Sequence, residues 1–177
     1  YQPYLYKTKD YGKTWTKITD GIDPGHFTRV LRADPKRPGL LYAGTETGMY
    51  ISFDDGSSWK PFQLNLPIVP ITDLAIKNDN LIATTQGRSI WLIDDLTPLH
   101  QLNTSMAGSD FTLFKPMPSY RMGPGFSFGR PSKTDGKNHP GGVMIHYYLK
   151  DTAKVSASIE IMEMSGTVIK KFATKPD

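Results

Sequence analysis

The sequence predicts an all-β fold, a partial β-propeller of about two and a half four-stranded blades followed by the start of a β-sandwich. Three observations carry that prediction. Two copies of one phrase, Thr8-Lys9-Asp10-Tyr11-Gly12-Lys13-Thr14-Trp15 and Ser52-Phe53-Asp54-Asp55-Gly56-Ser57-Ser58-Trp59, lie 44 residues apart. That is close to the length of one propeller blade. Short apolar alternations bounded by Gly, Pro, Asp and Asn recur along the chain, whereas helical periodicity is hard to find. The 14 Pro and 16 Gly supply the turns that so many short strands need.

Taken in order, residues 4–8 and 15–18 read as the last two strands of one blade, joined through the first phrase. A full cycle follows, with strands at 28–33, 40–44, 49–53 and 59–64 and turns at 34–39 and 45–48; the second phrase joins its last two strands. Four strands in about 40 residues make one blade. The next cycle has strands at 71–76, 81–85, 89–93 and 99–102, with turns at 77–80 and 86–87. Here the phrase has decayed. Asp94 holds the Asp place 40 residues after Asp54, but Leu96 replaces Gly and Leu99 stands near the expected Trp.

Residues 1–114 are therefore assigned to blades, and the crowding of Pro and Gly over 115–142 predicts a linker or long loop. Residues 143–177 then open a sandwich, with strands at 143–149, 155–164 and 167–172 and a tight turn at Ser165-Gly166. The chain opens on Tyr1 in a strand pattern and ends within a few residues of a strand. It is expected to be a fragment of a longer polypeptide that carries the remaining blades.

The two phrases match the Asp-box (BNR) pattern, Ser/Thr-x-Asp-x-Gly-x-Thr/Ser-Trp, and its residue types suit a turn better than a reaction. Asp10 and Asp54 can accept hydrogen bonds from backbone N–H groups of the turn, while Gly12 and Gly56 take positive φ. Thr14 and Ser58 can close the same network, and Trp15 and Trp59 can bury a ring beneath it. Polar groups so occupied are not free for catalysis. These residues, with Asp94, are structural candidates, and no catalytic residue is expected. Blade geometry puts such turns at the end opposite the remaining loops, and on that other end His26, Glu46 and Arg88 are the candidates for contact with a ligand.

Other chemistry finds little support. Residues 1–102 hold 11 Lys and Arg against 11 Asp and Glu, and residues 103–177 hold 10 against 6. No basic run with interleaved aromatics appears, so nucleic acid is not an expected partner. The four histidines, His26, His100, His139 and His146, share no metal-ligand spacing, and there is no Cys. No metal or other cofactor is expected. Asp54-Asp55 and Asp94-Asp95 are sequence neighbours in turns that point apart, a poor acid and base pair. No stretch of about 18 apolar residues exists, which excludes a helical membrane span.

The run Ala83-Thr84-Thr85-Gln86-Gly87-Arg88-Ser89-Ile90-Trp91-Leu92-Ile93-Asp94-Asp95-Leu96-Thr97-Pro98-Leu99 resembles the last-blade signature of bacterial sortilin-like BNR propeller proteins, often labelled glycosyl hydrolases. Gln86 stands where their usual His-Gly-Arg-Ser has His. The segments Asn138-His139-Pro140-Gly141-Gly142-Val143, Tyr147-Tyr148-Leu149-Lys150 and 159–172 resemble the same proteins' passage into a flagellar-hook-cap-type Ig-like domain. The resemblance implies a secreted, periplasmic or outer-envelope propeller that binds a protein, peptide or carbohydrate ligand. Two other activities remain open. One is a glycoside hydrolase of the sialidase or xyloglucanase sort, its carboxylates outside this chain or among Glu46 and Asp23. The other is a sortilin-like receptor that captures peptides by strand addition inside its tunnel.

Overall fold

Alternation of apolar and polar side chains drives this chain into short antiparallel ladders, and turn chemistry decides where each one stops. The computed structural model describes residues 1–103, 106, 108–120, 142–150 and 157–173. Strands β1 (Tyr6–Lys7) and β2 (Thr16–Lys17) form sheet I. Strands β3 (Thr28–Ala33), β4 (Leu41–Thr45), β5 (Met49–Ser52) and β6 (Lys60–Pro61) form sheet II, a four-stranded antiparallel meander. Sheet III repeats the meander with three strands, β7 (Ile71–Lys77), β8 (Asn80–Thr85) and β9 (Ile90–Ile93). The first strands of sheets II and III share a further detail: each shifts register one residue into its ladder, between Thr28 and Val30 and between Ile71 and Asp73. A bulge at the same place in both supports a repeated unit.

The three sheets stack face to face in chain order. All five residues of β4 are buried, because its two faces serve two interfaces. Leu41 and Ala43 join Leu5, Ile18, Ile22, Tyr50 and Trp59 in the cluster between sheets I and II. Tyr42 joins Val30, Met49, Ile51, Ile71, Leu74, Leu81 and Ala83 in the larger cluster between sheets II and III. Each fully buried Ile or Leu there contributes about 1.5–3 kcal/mol by leaving water. Gly44 is small for a reason: a Cβ there would lie 2.6 Å from both Ile71 Cγ2 and Val30 Cγ1. Sheet III can therefore press directly on the backbone of β4.

Turns explain the boundaries. Between β7 and β8 only Asn78 and Asp79 intervene, both at positive φ, a two-residue hairpin whose twist matches the strands. After β9 the sequence prediction needs correction. The strand expected at 99–102 is instead a short helix, α1 (Thr97–Gln101), with Pro98 in its first turn. Proline is pre-set for that position and needs no hydrogen-bond partner there. Asp95 Oδ1 accepts the N–H of Thr97 at 2.8 Å, and Leu96 is completely buried in the core between sheets II and III.

Beyond α1, β10 (Phe111–Leu113) pairs antiparallel with β11 (Tyr147–Leu149), so a ladder joins residues on either side of the span predicted as a linker. Strands β12 (Ser158–Met162) and β13 (Val168–Ala173) form a separate hairpin. Its turn is closed by Gly166 N–H on Glu163 O at 2.9 Å, with Gly166 at φ 89°. Most of the predicted linker, 121–141, lies outside the described residues, as do 155–156 at the start of the strand predicted from 155.

Candidate functional site

The repeated phrases build the same turn twice. In the first, Asp10 Oδ1 accepts the N–H of Thr14 at 2.8 Å and the hydroxyl of Thr8 at 2.8 Å, and Oδ2 accepts the hydroxyl of Thr14 at 2.7 Å. Thr8 Oγ1 in turn accepts the N–H of Gly12 at 2.8 Å. In the second, Asp54 accepts from Ser58 N–H at 2.8 Å, Ser52 Oγ at 2.8 Å and Ser58 Oγ at 2.6 Å, and Ser52 Oγ accepts from Gly56 N–H at 2.9 Å. Gly12 and Gly56 sit at φ 89° and 85°. Donors concentrated on one carboxylate stabilise its charged form. The Thr14 hydroxyl, then its N–H, hold the Asp10 carboxyl down at about 2, and the Ser58 hydroxyl leads in lowering Asp54.

The tryptophans part company. Trp15 is 60% exposed and its indole N–H turns back to Gly12 O at 3.1 Å. Trp59 is 3% exposed, and its indole N–H reaches Ile18 O in sheet I at 2.8 Å. Asp94 lies in the decayed third copy, and there it is its neighbour Asp95 that carries the recorded contacts. Besides Thr97, Asp95 meets His146 Nε2 at 3.2 Å through Oδ2, which ties the region of β11 to the end of β9.

The three candidates for ligand contact all stand at the opposite end of the sheets from these turns. His26 Nδ1 lies 2.7 Å from Tyr50 Oη, and Asp23 N–H donates to the same oxygen at 3.4 Å. Glu46 is in an ion pair with Arg29, and its own N–H donates to Phe27 O at 3.1 Å. His26 and Glu46 are thereby joined through the chain at Phe27. Arg88 is exposed in the turn between β8 and β9, where its carbonyl accepts the Trp91 indole N–H at 2.8 Å. It shares this end of the sheets with the other two. Among the described residues no recorded contact joins its side chain to them.

One polar cluster escaped the sequence reading. Asp34 is buried, and its Oδ1 accepts Lys36 N–H at 2.8 Å and Arg37 N–H at 2.9 Å, while Oδ2 meets His100 Nε2 at 2.9 Å and Tyr42 Oη at 3.3 Å. Burial pushes this carboxyl up, but the His100 hydrogen bond and the two backbone N–H groups outweigh it and leave it lowered. Burial, with Asp34 beside it, raises the Tyr42 phenol. The cluster fastens α1 to sheet II, and the Arg37 guanidinium adds a bond to Leu99 O. His100 lies 66 residues from Asp34. Only Asp34-Pro35, a turn opening, could have hinted at it.

Two concavities stand out among the described residues. One is an apolar hollow lined by side chains of sheets II and III, including Phe62, Leu66 and Trp91. The other is an open polar cleft between the two repeated turns, bordered by Lys7, Lys9, Thr14 and Lys17. Lys7 is already paired with Asp55 at 2.5 Å, and Lys17 lies over the Tyr4 ring at 5.0 Å. No three potential metal-ligating side chains come together among the described residues, and no helix among them is long and apolar enough to cross a membrane. No protein-family model matches this chain, and no curated protein matches it either.

Proposed function

We propose that this chain is part of a non-catalytic β-propeller scaffold of a secreted or cell-envelope protein, which holds a protein, peptide or glycan ligand on its loop end. In this reading sheets I to III are successive blades, the repeated turns are Asp boxes, and β11 to β13 open an Ig-like domain, as in sortilin-like BNR proteins. The observation that carries it is the saturation of Asp10 and Asp54 by donors of their own turns. Carboxylates held ionised by three donors each are poor general acids. At the loop end, Glu46 is paired with Arg29 and Asp23 Oδ1 accepts the N–H of Gly25 at 2.8 Å, so neither of these two carboxylates stands free for glycoside hydrolysis. The same end offers an imidazole, a phenol and an exposed guanidinium, groups suited to holding a polar ligand.

Glycan and peptide arrays probed with the full chain test this. The expected result is retention without turnover, weakened about tenfold by Glu46→Gln combined with Arg88→Ala, the loss of one or two charge-assisted bonds. Sugar release that Glu46→Gln abolishes overturns the reading.

A further inference from the structure

Among the described residues sheet II has four strands and sheet III has three, and the place of a fourth strand beside β9 is open. In sheet II, the chain leaves the second turn as β6, which pairs with β5 through Ile51↔Lys60 and Tyr50↔Pro61. Phe62 N–H donates to Met49 O at 2.8 Å and extends that ladder. Trp59 and Pro61, two residues apart, share one face of the added strand. Trp59 fills the groove against sheet I, and Pro61 stands beside Tyr50 of the same cluster.

In sheet III the equivalent step does not occur. The chain turns at Asp95 into α1 instead, and among the described residues β9 pairs with β8 alone. Thr85 N–H donates to Ser89 O at 3.2 Å, which marks Thr85 and Ser89 as a bonded pair. Bonded and non-bonded pairs alternate along an antiparallel ladder. Trp91 and Ile93 therefore bond to β8, and the backbone groups of Ile90 and Leu92 point to the open edge. Their side chains are exposed as well. Beside that edge, in the groove between sheets II and III, lies the apolar cavity, walled by Phe62, Leu64, Leu66, Trp91 and Ile93. It occupies the place that Trp59 and Pro61 fill one sheet earlier.

We propose that the free edge of β9 takes an extended peptide strand from a partner protein, added antiparallel as a fourth strand, with large apolar residues two apart seated in this cavity. Main-chain bonds to Ile90 and Leu92 supply the pairing, and the cavity selects the side chains. The occupant's chemistry follows from the filled groove next door: aromatic, polar, apolar, as in Trp59-Lys60-Pro61. The edge is on the flank of sheet III, distinct from the loop end that carries His26 and Glu46, so binding at either place can fail without the other.

An end-capped, fluorescein-labelled peptide of residues 57–64, Ser-Ser-Trp-Lys-Pro-Phe-Gln-Leu, is the probe, titrated against the full chain by fluorescence anisotropy. Saturable binding is expected. Replacing the peptide's Trp by Ser, or N-methylating its Lys and Phe amides, should each weaken it about tenfold. On the protein, Leu92→Pro removes an edge N–H without costing β8 a bond, and should weaken binding similarly with an unchanged circular dichroism spectrum. No saturable binding, or equal binding of the Trp-to-Ser and N-methylated peptides to the unaltered chain, overturns the proposal. So does sedimentation showing that the chain dimerises and that Leu92→Pro dissolves the dimer, since a second copy then holds the edge.

Discussion

The turns around Asp10 and Asp54 have the same hydrogen bonds within 0.1 Å for the main contacts, yet their tryptophans are 60% and 3% exposed. Trp59 reaches a carbonyl 41 residues away in sheet I, and Trp15 turns back on its own loop. The glycines differ in the same way. A Cβ on Gly56 would lie 2.6 Å from Ile18 Cδ1, whereas one on Gly12 would meet only the Trp15 ring at 3.8 Å. One motif thus does two things that separate here: it closes a turn, and, where a neighbouring sheet is present, it locks one sheet on the next.

Substituting the tryptophans should expose the largest difference. Trp59→Ala removes a buried indole and leaves Ile18 O without its donor, and is expected to cost about 3–5 kcal/mol. Trp15→Ala, on a surface ring, should stay within about 1 kcal/mol. Urea unfolding of the two variants measures both, and equal losses would mean that Trp15 is covered in solution. A smaller gap is expected for the glycines. Gly12→Ala and Gly56→Ala both force a side chain into positive φ at about 1–3 kcal/mol. Only Gly56→Ala also collides with Ile18, adding about 1–3 kcal/mol of overpacking. Thermal melts that rank Gly12→Ala as the worse variant would break the comparison.

The smallest effect is the one in which the two turns should agree. Both carboxyls are lowered in the folded chain, so the unfolded chain binds more protons as pH falls below about 4 and stability drops with it. For Asp10 the loss extends from its ordinary value of 3.8 down to about 2. Carboxyl carbon NMR titration should find both depressed, Asp10 near 2, with Thr14→Ala and Ser58→Ala each raising its partner's midpoint. A midpoint unmoved by either substitution would mean that the hydroxyls do not hold the charge.

The order of β1 to β9 and most of their limits were legible because apolar alternation and turn residues are local signals, whereas β10, whose partner β11 lies beyond the Pro- and Gly-rich span, was not anticipated. The strand expected at 99–102 was misread because its apolar residues, Leu99 and Leu102, suit either state. Pro98 and the Asp95 bond to Thr97 settled it for a helix. The loop-end candidates His26 and Glu46 could be named from sequence, but their partners Tyr50 and Arg29 could not. The contact between His26 and Tyr50 spans 24 residues, and that between Glu46 and Arg29 spans 17. The clamp at Asp34 and His100 was hidden for the same reason.

By itself the sequence determined the two turns, since every bond that saturates Asp10 and Asp54 comes from a residue no more than four positions away. Such short reach is fixed by covalent geometry and needs no neighbour. Tertiary structure alone decided which tryptophan is buried, why β4 is buried on both faces and, among the described residues, where sheet III stops at three strands. Those outcomes depend on surfaces that meet only when one sheet stacks on another, and burial is a property of the pair.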